Sequence, residues 1–501
     1  MHHLLNVLIW LPILSGVFIF LTGDDKNPNV ARYLSLFTVL LTLLMCVPLV
    51  AGFDINTASM QYVEDIAWVP ALGIRYTLGV DGLSLLLIVL SVFTNLIVIL
   101  ATWSSIKKRI AQYLSAFLIM QGFLVGVFSA MDAIVFYIFW EATLIPMYLI
   151  IGIWGSDNRV YAAIKFFLYT FLGSVLMLAS FLYLGYLAGT FNIETLYAVK
   201  LGMTAQTLIF VAFFFGFAIK IPMFPVHTWL PDAHTEAPAG GSIVLAAILL
   251  KLGAYGFIRF ALPIVPDACS KYAIVIVVLS LIAVVYIGLI AIIQQDMKRL
   301  IAYSSISHMG FVTLGCFAIF AIADHGSIKS AGLVLEGAIV VMISHAFISS
   351  AMFAGVGFIY DRMHTRQVKD FGGIVNTMPV FASFFMLFSM ANAGLPGTSG
   401  FVGEFMVILG CMKAGFWITF WAASTLIIGA AYTLWMYKRV IFGPVANQRV
   451  AELKDLSGHE LSAYLLLALM VVAMGVYPKP MLGYIHQTVS YTLAQADKSK
   501  L

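Results

Sequence analysis

The sequence predicts an all-α polytopic membrane protein of about 14 transmembrane helices, with two inverted five-helix repeats that each contain a broken helix. Three observations point there. First, 62% of the 501 residues are hydrophobic and only 10% are charged, at a mean hydropathy of +1.00. A soluble chain of this size needs far more charge to cover its surface. Second, apolar windows of about 20 residues recur along the chain, each long enough to cross ~30 Å of hydrocarbon. Third, two windows are interrupted by glycine and proline, at IKIPMFP (219–225) and AGLPGTSG (393–400).

The windows fall at 4–22, 33–52, 83–103, 112–130, 133–154, 163–188, 206–226, 240–262, 273–293, 299–321, 331–359, 378–409, 416–442 and 460–478. The first lacks a basic leader and is followed by GDDK rather than small residues, so it is expected to stay as a membrane helix. Loops after odd-numbered windows hold fifteen of the 27 lysines and arginines, and loops after even-numbered ones hold six, Arg259 among them. The positive-inside rule then places the odd loops in the cytoplasm and both termini on the periplasmic side of a bacterial inner membrane. The broken windows are seventh and twelfth, five apart. A five-helix unit has an odd number of crossings, so its repeat must be inverted, as in many transporters. The expected organisation is an N-terminal three-helix segment (1–111), a first repeat (112–262), a second, inverted repeat (273–443), and a C-terminal loop with the last helix (444–501).

Composition also narrows the chemistry. The net charge of +4 is small and scattered, which offers no nucleic-acid surface. Cys46, Cys269, Cys316 and Cys411 are too dispersed for a zinc site or an iron–sulfur cluster. No GxGxxG or phosphate-binding loop is present, so no nucleotide, flavin or other cofactor is expected in this chain.

Ionisable residues inside the windows carry the functional reading, because a charge in hydrocarbon is costly and usually lines an ion route. Glu141, in FYIFWEATLIP, stands about nine residues into the fifth window, and Pro146 loosens the backbone beside it. The bland reading is a structural ion pair. Lys220 precedes Pro222 and Pro225, whose missing donors are expected to free the carbonyls of Ala218 and Ile221 around the ammonium. Glu141 is its natural partner, and snorkelling to the interface is the alternative. Lys251 stands mid-window in LAAILLKLGAYG with no acid within one turn, so its partner comes from another helix, from water, or from backbone carbonyls alone. His308 and His345 sit among serines on the tenth and eleventh windows, as relays or as satisfied core residues. Glu404 follows the second break, formed by Gly394, Pro396 and Gly397, either in a route or capped by freed amides. The turn VHTWLPDAHTEAPAG offers Asp232 and Glu236 as proton-uptake groups. A metal held by His227, Asp232, His234 and Glu236 is the weaker alternative, since H-x6-H matches no strong ligand spacing.

Four stretches, HTWLPDAHTEAPAGGSIVLAAILLKLGAYG, FYIFWEATLIPMYLIIGIWG, YTLGVDGLSL and LPGTSGFVGEF, resemble the chain M family of bacterial NADH-quinone oxidoreductases, counterparts of mitochondrial subunit 4. The likeness runs in order over nearly the whole chain. It implies an antiporter-like subunit in the membrane arm of respiratory complex I, translocating protons along Glu141, Lys220, Lys251, His308, His345 and Glu404. It also implies that NADH, FMN, iron–sulfur clusters and quinone belong to partner subunits, with other antiporter-like chains and lipid as neighbours. Multisubunit sodium/proton antiporters and membrane-bound hydrogenases share the fold and the lysines and are the alternative, as is a purely structural scaffold. About 23 residues follow the last window, too few for the long lateral helix of chain L, and the HTEAP turn with Glu404 favours chain M.

Overall fold

The computed structural model describes residues 3–501. Among these, thirteen helices are long and apolar enough to cross a membrane. In chain order they begin with α1 (Leu4–Thr22), α2 (Pro28–Ala51), α3 (Gly82–Ala101) and α4 (Ile110–Ser129). The fifth crossing, Ala133–Trp154, is split at Thr143 into α5 (Ala133–Ala142) and α6 (Leu144–Trp154). Pro146 has no N–H to give Ala142, and the helix opens there as the sequence predicts. Then come α7 (Arg159–Ala188), α8 (Met203–Lys220), a short return helix α9 (Trp229–Glu236), and α10 (Ala239–Ile264). The second half holds α11 (Pro266–Ile292), α12 (Met297–Ala323) and α13 (Gly332–Met363). The twelfth window resolves into two short helices, α14 (Pro379–Asn392) and α15 (Ser399–Cys411), followed by α16 (Phe416–Ile441) and α17 (Gly458–Val476).

Carboxylates and hydroxyls at the N-termini start several of these helices. Asp81 caps α3 through Ser84 N at 2.9 Å, Asp132 caps α5 through Ile134 N at 2.9 Å, and Asp296 caps α12 through Arg299 N at 3.1 Å. Ser457 and Glu460 form a capping box on α17. The most apolar window of α10 is wholly buried, and α3, α12 and α13 are nearly so, whereas α2, α16 and α17 turn most of their surface outward. The bundle thus has an inner ring around α10, and that ring carries Lys251, His308 and His345.

Three features depart from the sequence expectation. Residues 61–80 form an antiparallel hairpin, β1 (Gln61–Val69) with β2 (Ile74–Val80), turned at Gly73 in the left-handed region (φ 69°). Its Glu64 accepts from Leu5 N at 2.8 Å and so caps α1. The tail folds as an amphipathic helix, α18 (Lys479–Ala496), burying Met481, Ile485, Val489 and Leu493 at four-residue steps. Two basic residues assigned to loops are buried in helices. Arg259 lies within α10, only 6% exposed, and donates from Nη2 to Asp81 Oδ2 at 2.6 Å. Lys298 starts α12 at 4% exposed and donates to the Ala237 carbonyl at 2.6 Å. In both cases a specific acceptor offsets desolvation that a loop placement would not have incurred.

Candidate proton-transfer site

Glycines set the spacing of the first half. A Cβ on Gly253 would lie 2.4 Å from Phe217 O and 2.8 Å from Ile221 N, so α8 and α10 approach with their backbones almost touching. On the other flank of α8, a Cβ on Gly173 of α7 would lie 2.9 Å from Phe215 O. Such contacts are available only to the smallest residues.

Lys220 is the last residue of α8, 1% exposed, with no hydrogen-bond partner on Nζ. The expected nest of freed carbonyls is absent. Met223 N donates to Ala218 O at 2.8 Å, and the Trp229 indole donates to Ile219 O at 2.8 Å, so those two carbonyls are already taken. The ammonium instead faces aromatic rings, 5.5 Å from the centroid of Trp140 and 5.7 Å from that of Phe166. Ring quadrupoles hold a cation there without taking its protons. Glu141 follows Trp140 directly and is partly buried, with Oε1 also unpartnered, so the two charges are close in the fold without forming an ion-pair contact.

The second half is linked by short contacts. Lys251 is fully buried in α10, just after a π-helical turn at Leu245–Leu249. Its Nζ donates to Ala246 O at 2.6 Å and lies 2.8 Å from His345 Nδ1 on α13. The absent local acid is therefore replaced by a carbonyl in the π turn and by a histidine 94 residues away. The rings of His345 and His308 are 5.7 Å apart between centroids. His308 Nδ1 lies 2.7 Å from Glu404 Oε1, and its Nε2 lies 3.3 Å from Tyr432 OH. Between the histidines a cavity of about 10 Å³, lined by Ser344, Asn392 and Glu404 among others, is near the lower limit for one water.

Glu404 is 4% exposed on α15, just past the second break. Gly394 (φ 78°) and Gly397 (φ 89°) take left-handed conformations that turn the chain between α14 and α15, with Pro396 between them. A Cβ on Gly394 would lie 3.2 Å from Glu404 Oε2, so the glycine also makes room for the carboxylate.

Of the turn residues, Asp232 pairs with Lys165 at 2.7 Å and with Arg299 at 3.5 Å, and Glu236 accepts from Asn158 N at 2.9 Å. Among the described residues no three His, Cys, Asp or Glu side chains gather at metal-binding spacing. His234 is the residue that sequence reasoning undervalued. It is fully buried, neither ring nitrogen has a partner, and it stacks on Phe353 at 4.4 Å. Lys251 and Lys298 both act on it electrostatically. Its signal was present in the HTWLPDAH stretch, which places it one turn-forming segment beyond Lys220.

An all-helical membrane bundle with two broken helices and a buried file of Glu, Lys and His is the architecture of an antiporter-like membrane protein. The chain belongs to the NADH:quinone oxidoreductase/Mrp antiporter transmembrane family, whose model matches residues 130–429. It is 44% identical to NADH-quinone oxidoreductase subunit M of Rhodobacter capsulatus, covering 99% of each chain. It is 42% identical to NADH-ubiquinone oxidoreductase chain 4 of Marchantia polymorpha, covering 97% of this chain and 96% of that one. Its fold matches a chain of respiratory complex I from Thermus thermophilus at TM-score 0.87 and 29% identity, over 98% of this chain and 99% of that one. A chain of the Mrp complex from Dietzia sp. matches at TM-score 0.82 with 20% identity, over 97% of this chain but 52% of the other, a likeness of fold alone.

Proposed function

We propose that this chain is the M-type proton-translocating subunit in the membrane arm of an NADH-quinone oxidoreductase, driven by quinone reduction in partner subunits of the bacterial inner membrane. The observation that carries the reading is the file Lys251–His345–His308–Glu404, whose two direct links measure 2.8 and 2.7 Å across four helices. NADH, FMN, iron–sulfur clusters and quinone belong to the partners in this reading, and neighbouring antiporter-like chains flank this one. The two breaks, at 221–228 and 393–398, occupy matching places in inverted halves, and the basic loops face the cytoplasm with both termini outside.

Within the chain, Glu141 biases Lys220 by charge. An approaching cation or a protonated Glu141 destabilises the Lys220 ammonium, and its proton passes towards Lys251. Lys251 hands a proton to His345 Nδ1, and a water between the rings carries it to His308 and on to Glu404. Asp232 and Glu236 lie at the cytoplasmic end of the Lys220 half as uptake groups. Moving one charge against 100 mV costs about 2.3 kcal/mol. A swing of one to two pKa units at ~1.4 kcal/mol each supplies that. The test uses fully assembled enzyme carrying Lys220→Ala or Glu141→Ala. Proton uptake driven by NADH should collapse, and normal pumping in both would overturn the assignment.

A further inference from the structure

We propose that Asp361 is a second cytoplasmic proton-uptake group, feeding Lys251 separately from Asp232 through a polar pocket, Lys298 and His234. This rests on the translocation function inferred above. The pocket, about 290 Å³, opens on the basic-loop face between the ends of α3, α13 and α17, with Ser105, Asp361, Arg362, His459 and Glu460 in its wall. Lys107 and Arg362 are the basic side chains in its wall, and the arginine is already committed. Arg362 grips Glu460 through two contacts of 2.8 Å and donates to the carbonyls of Phe358 and Asp455. Asp361 is left exposed to the pocket with the Ser105 hydroxyl as its hydrogen-bond donor and no ion pair. A carboxylate in that state is free to take a proton from pocket water.

The helix carrying it leads inward. Asp361, Gly357, Phe353, Ser349 and His345 recur every fourth residue on α13, so they form a ridge that winds about 160° around the helix over about 24 Å of axis. Three steps of that ridge, Gly357, Phe353 and His345, meet the α9–α10 segment. Gly357 lies against Ala239, where a Cβ would come within 2.7 Å of Ala239 Cβ. The adjoining Ala237 carbonyl holds Lys298 Nζ, which Asp361 and Glu236 both attract. Phe353 carries the stacked ring of His234. His345 then meets Lys251. A buried lysine and a buried histidine with two empty nitrogens thus fill the interval between an exposed acid and the translocating lysine.

The proton balance is simple. The Asp361 carboxylate accepts a proton from water and becomes the neutral acid. It releases that proton to the neutral amine of Lys298, whose ammonium passes one to a His234 nitrogen. The resulting imidazolium gives it to Lys251, and each carrier returns to its starting state.

The experiment measures NADH-driven proton uptake by the whole complex in vesicles, at pH 6 and pH 8, for Asp361→Asn, Asp361→Glu and Lys251→Met. A positioned proton-transfer group contributes 10²–10⁴-fold, and bulk water replaces part of it. Asp361→Asn should therefore fall by about tenfold at pH 8, where hydronium is scarce, and recover towards wild type at pH 6. Asp361→Glu should restore uptake at both. Wild-type uptake in Asp361→Asn at both pH values overturns the inference, as does an equal loss at both that Glu fails to rescue. If Lys251→Met stops pumping while Asp361→Asn is normal, only the uptake site fails. If Lys251→Met pumps normally, the translocation function itself fails. Should Asp361→Asn not assemble, Ser105→Ala removes only the hydroxyl on the carboxylate. A shifted pH profile then supports the site, and an unshifted one overturns it.

Discussion

Replacing Gly253 by alanine adds one methyl group and touches no ionisable residue. That methyl would stand 2.4 Å from Phe217 O, where ordinary contact begins at 3.4 Å, so α8 and α10 must part by up to 1.0 Å. The partner atoms are backbone, so no side-chain rotation relieves the clash. Overpacking of this kind costs about 1–3 kcal/mol. The functional effect should be larger, because Lys220 and Lys251 ride on these two helices, and a displacement near 1 Å in a reacting geometry costs on the order of 10²-fold. Assembled Gly253→Ala complex should retain NADH oxidation by the partner subunits when uncoupled, lose most proton uptake, and inactivate faster on heating. Wild-type pumping together with wild-type heat resistance would show that helix approach at this point does not set the transfer distance.

Lys251→Met keeps the unbranched apolar stem, one atom shorter, but leaves Ala246 O and His345 Nδ1 without their partner; proton uptake should fall by about 10² or more, measured against the redox rate in vesicles. Asp81→Ala strands the buried Arg259 guanidinium at a cost of about 3–5 kcal/mol. Assembly yield should drop, and the double variant Asp81→Ala with Arg259→Met should recover part of it. Ser344→Val puts two methyl groups in place of a hydroxyl in the wall of the cavity between the histidines, expelling the single water that fits there. Uptake should slow with both histidines intact, and an unchanged rate would rule out a water link at that point.

The sequence exposed the axis because charge in an apolar window is conspicuous. Glu141, Lys220, Lys251 and Glu404 each stand alone among aliphatic and aromatic residues, and both breaks announce themselves by proline and glycine. Pairing was not legible. Nothing near Lys251 names His345, which lies 94 residues on, and no local pattern marks the π turn that supplies Ala246 O. The environment of Lys220 was misjudged because proline removes a donor without saying who takes the released carbonyl. Here Met223 N and the Trp229 indole take the carbonyls of Ala218 and Ile219. His234 escaped notice because its surroundings read as a polar turn, while the fold presses that turn into the core. Lys298 and Arg259 were counted as loop charges because they stand at the ends of windows, where burial depends on acceptors in other segments. The hairpin at 61–80 was hidden by weak alternation, whereas the apolar spacing of α18 was visible and simply short of a membrane crossing.

The two halves of the axis differ in what they can do with a proton. Lys251 and His308 each have an acceptor within 2.8 Å, so transfer along that half needs only the proton to move and one water to bridge the two histidines. Lys220 has no such acceptor. Its ammonium rests on Trp140 and Phe166, an attraction of up to ~2 kcal/mol for a desolvated cation that offers no lone pair. A proton can leave it only if the side chain swings or water enters, and both require the aromatic enclosure to open. Glu141 adjoins one of those rings and has an unpartnered oxygen of its own, so a change in its charge acts on Lys220 through poorly screened space. The slow, controllable step therefore belongs between Lys220 and Lys251, where glycines hold the helices at contact distance and polar partners are missing. The file from Lys251 to Glu404 is built to conduct once that step has occurred.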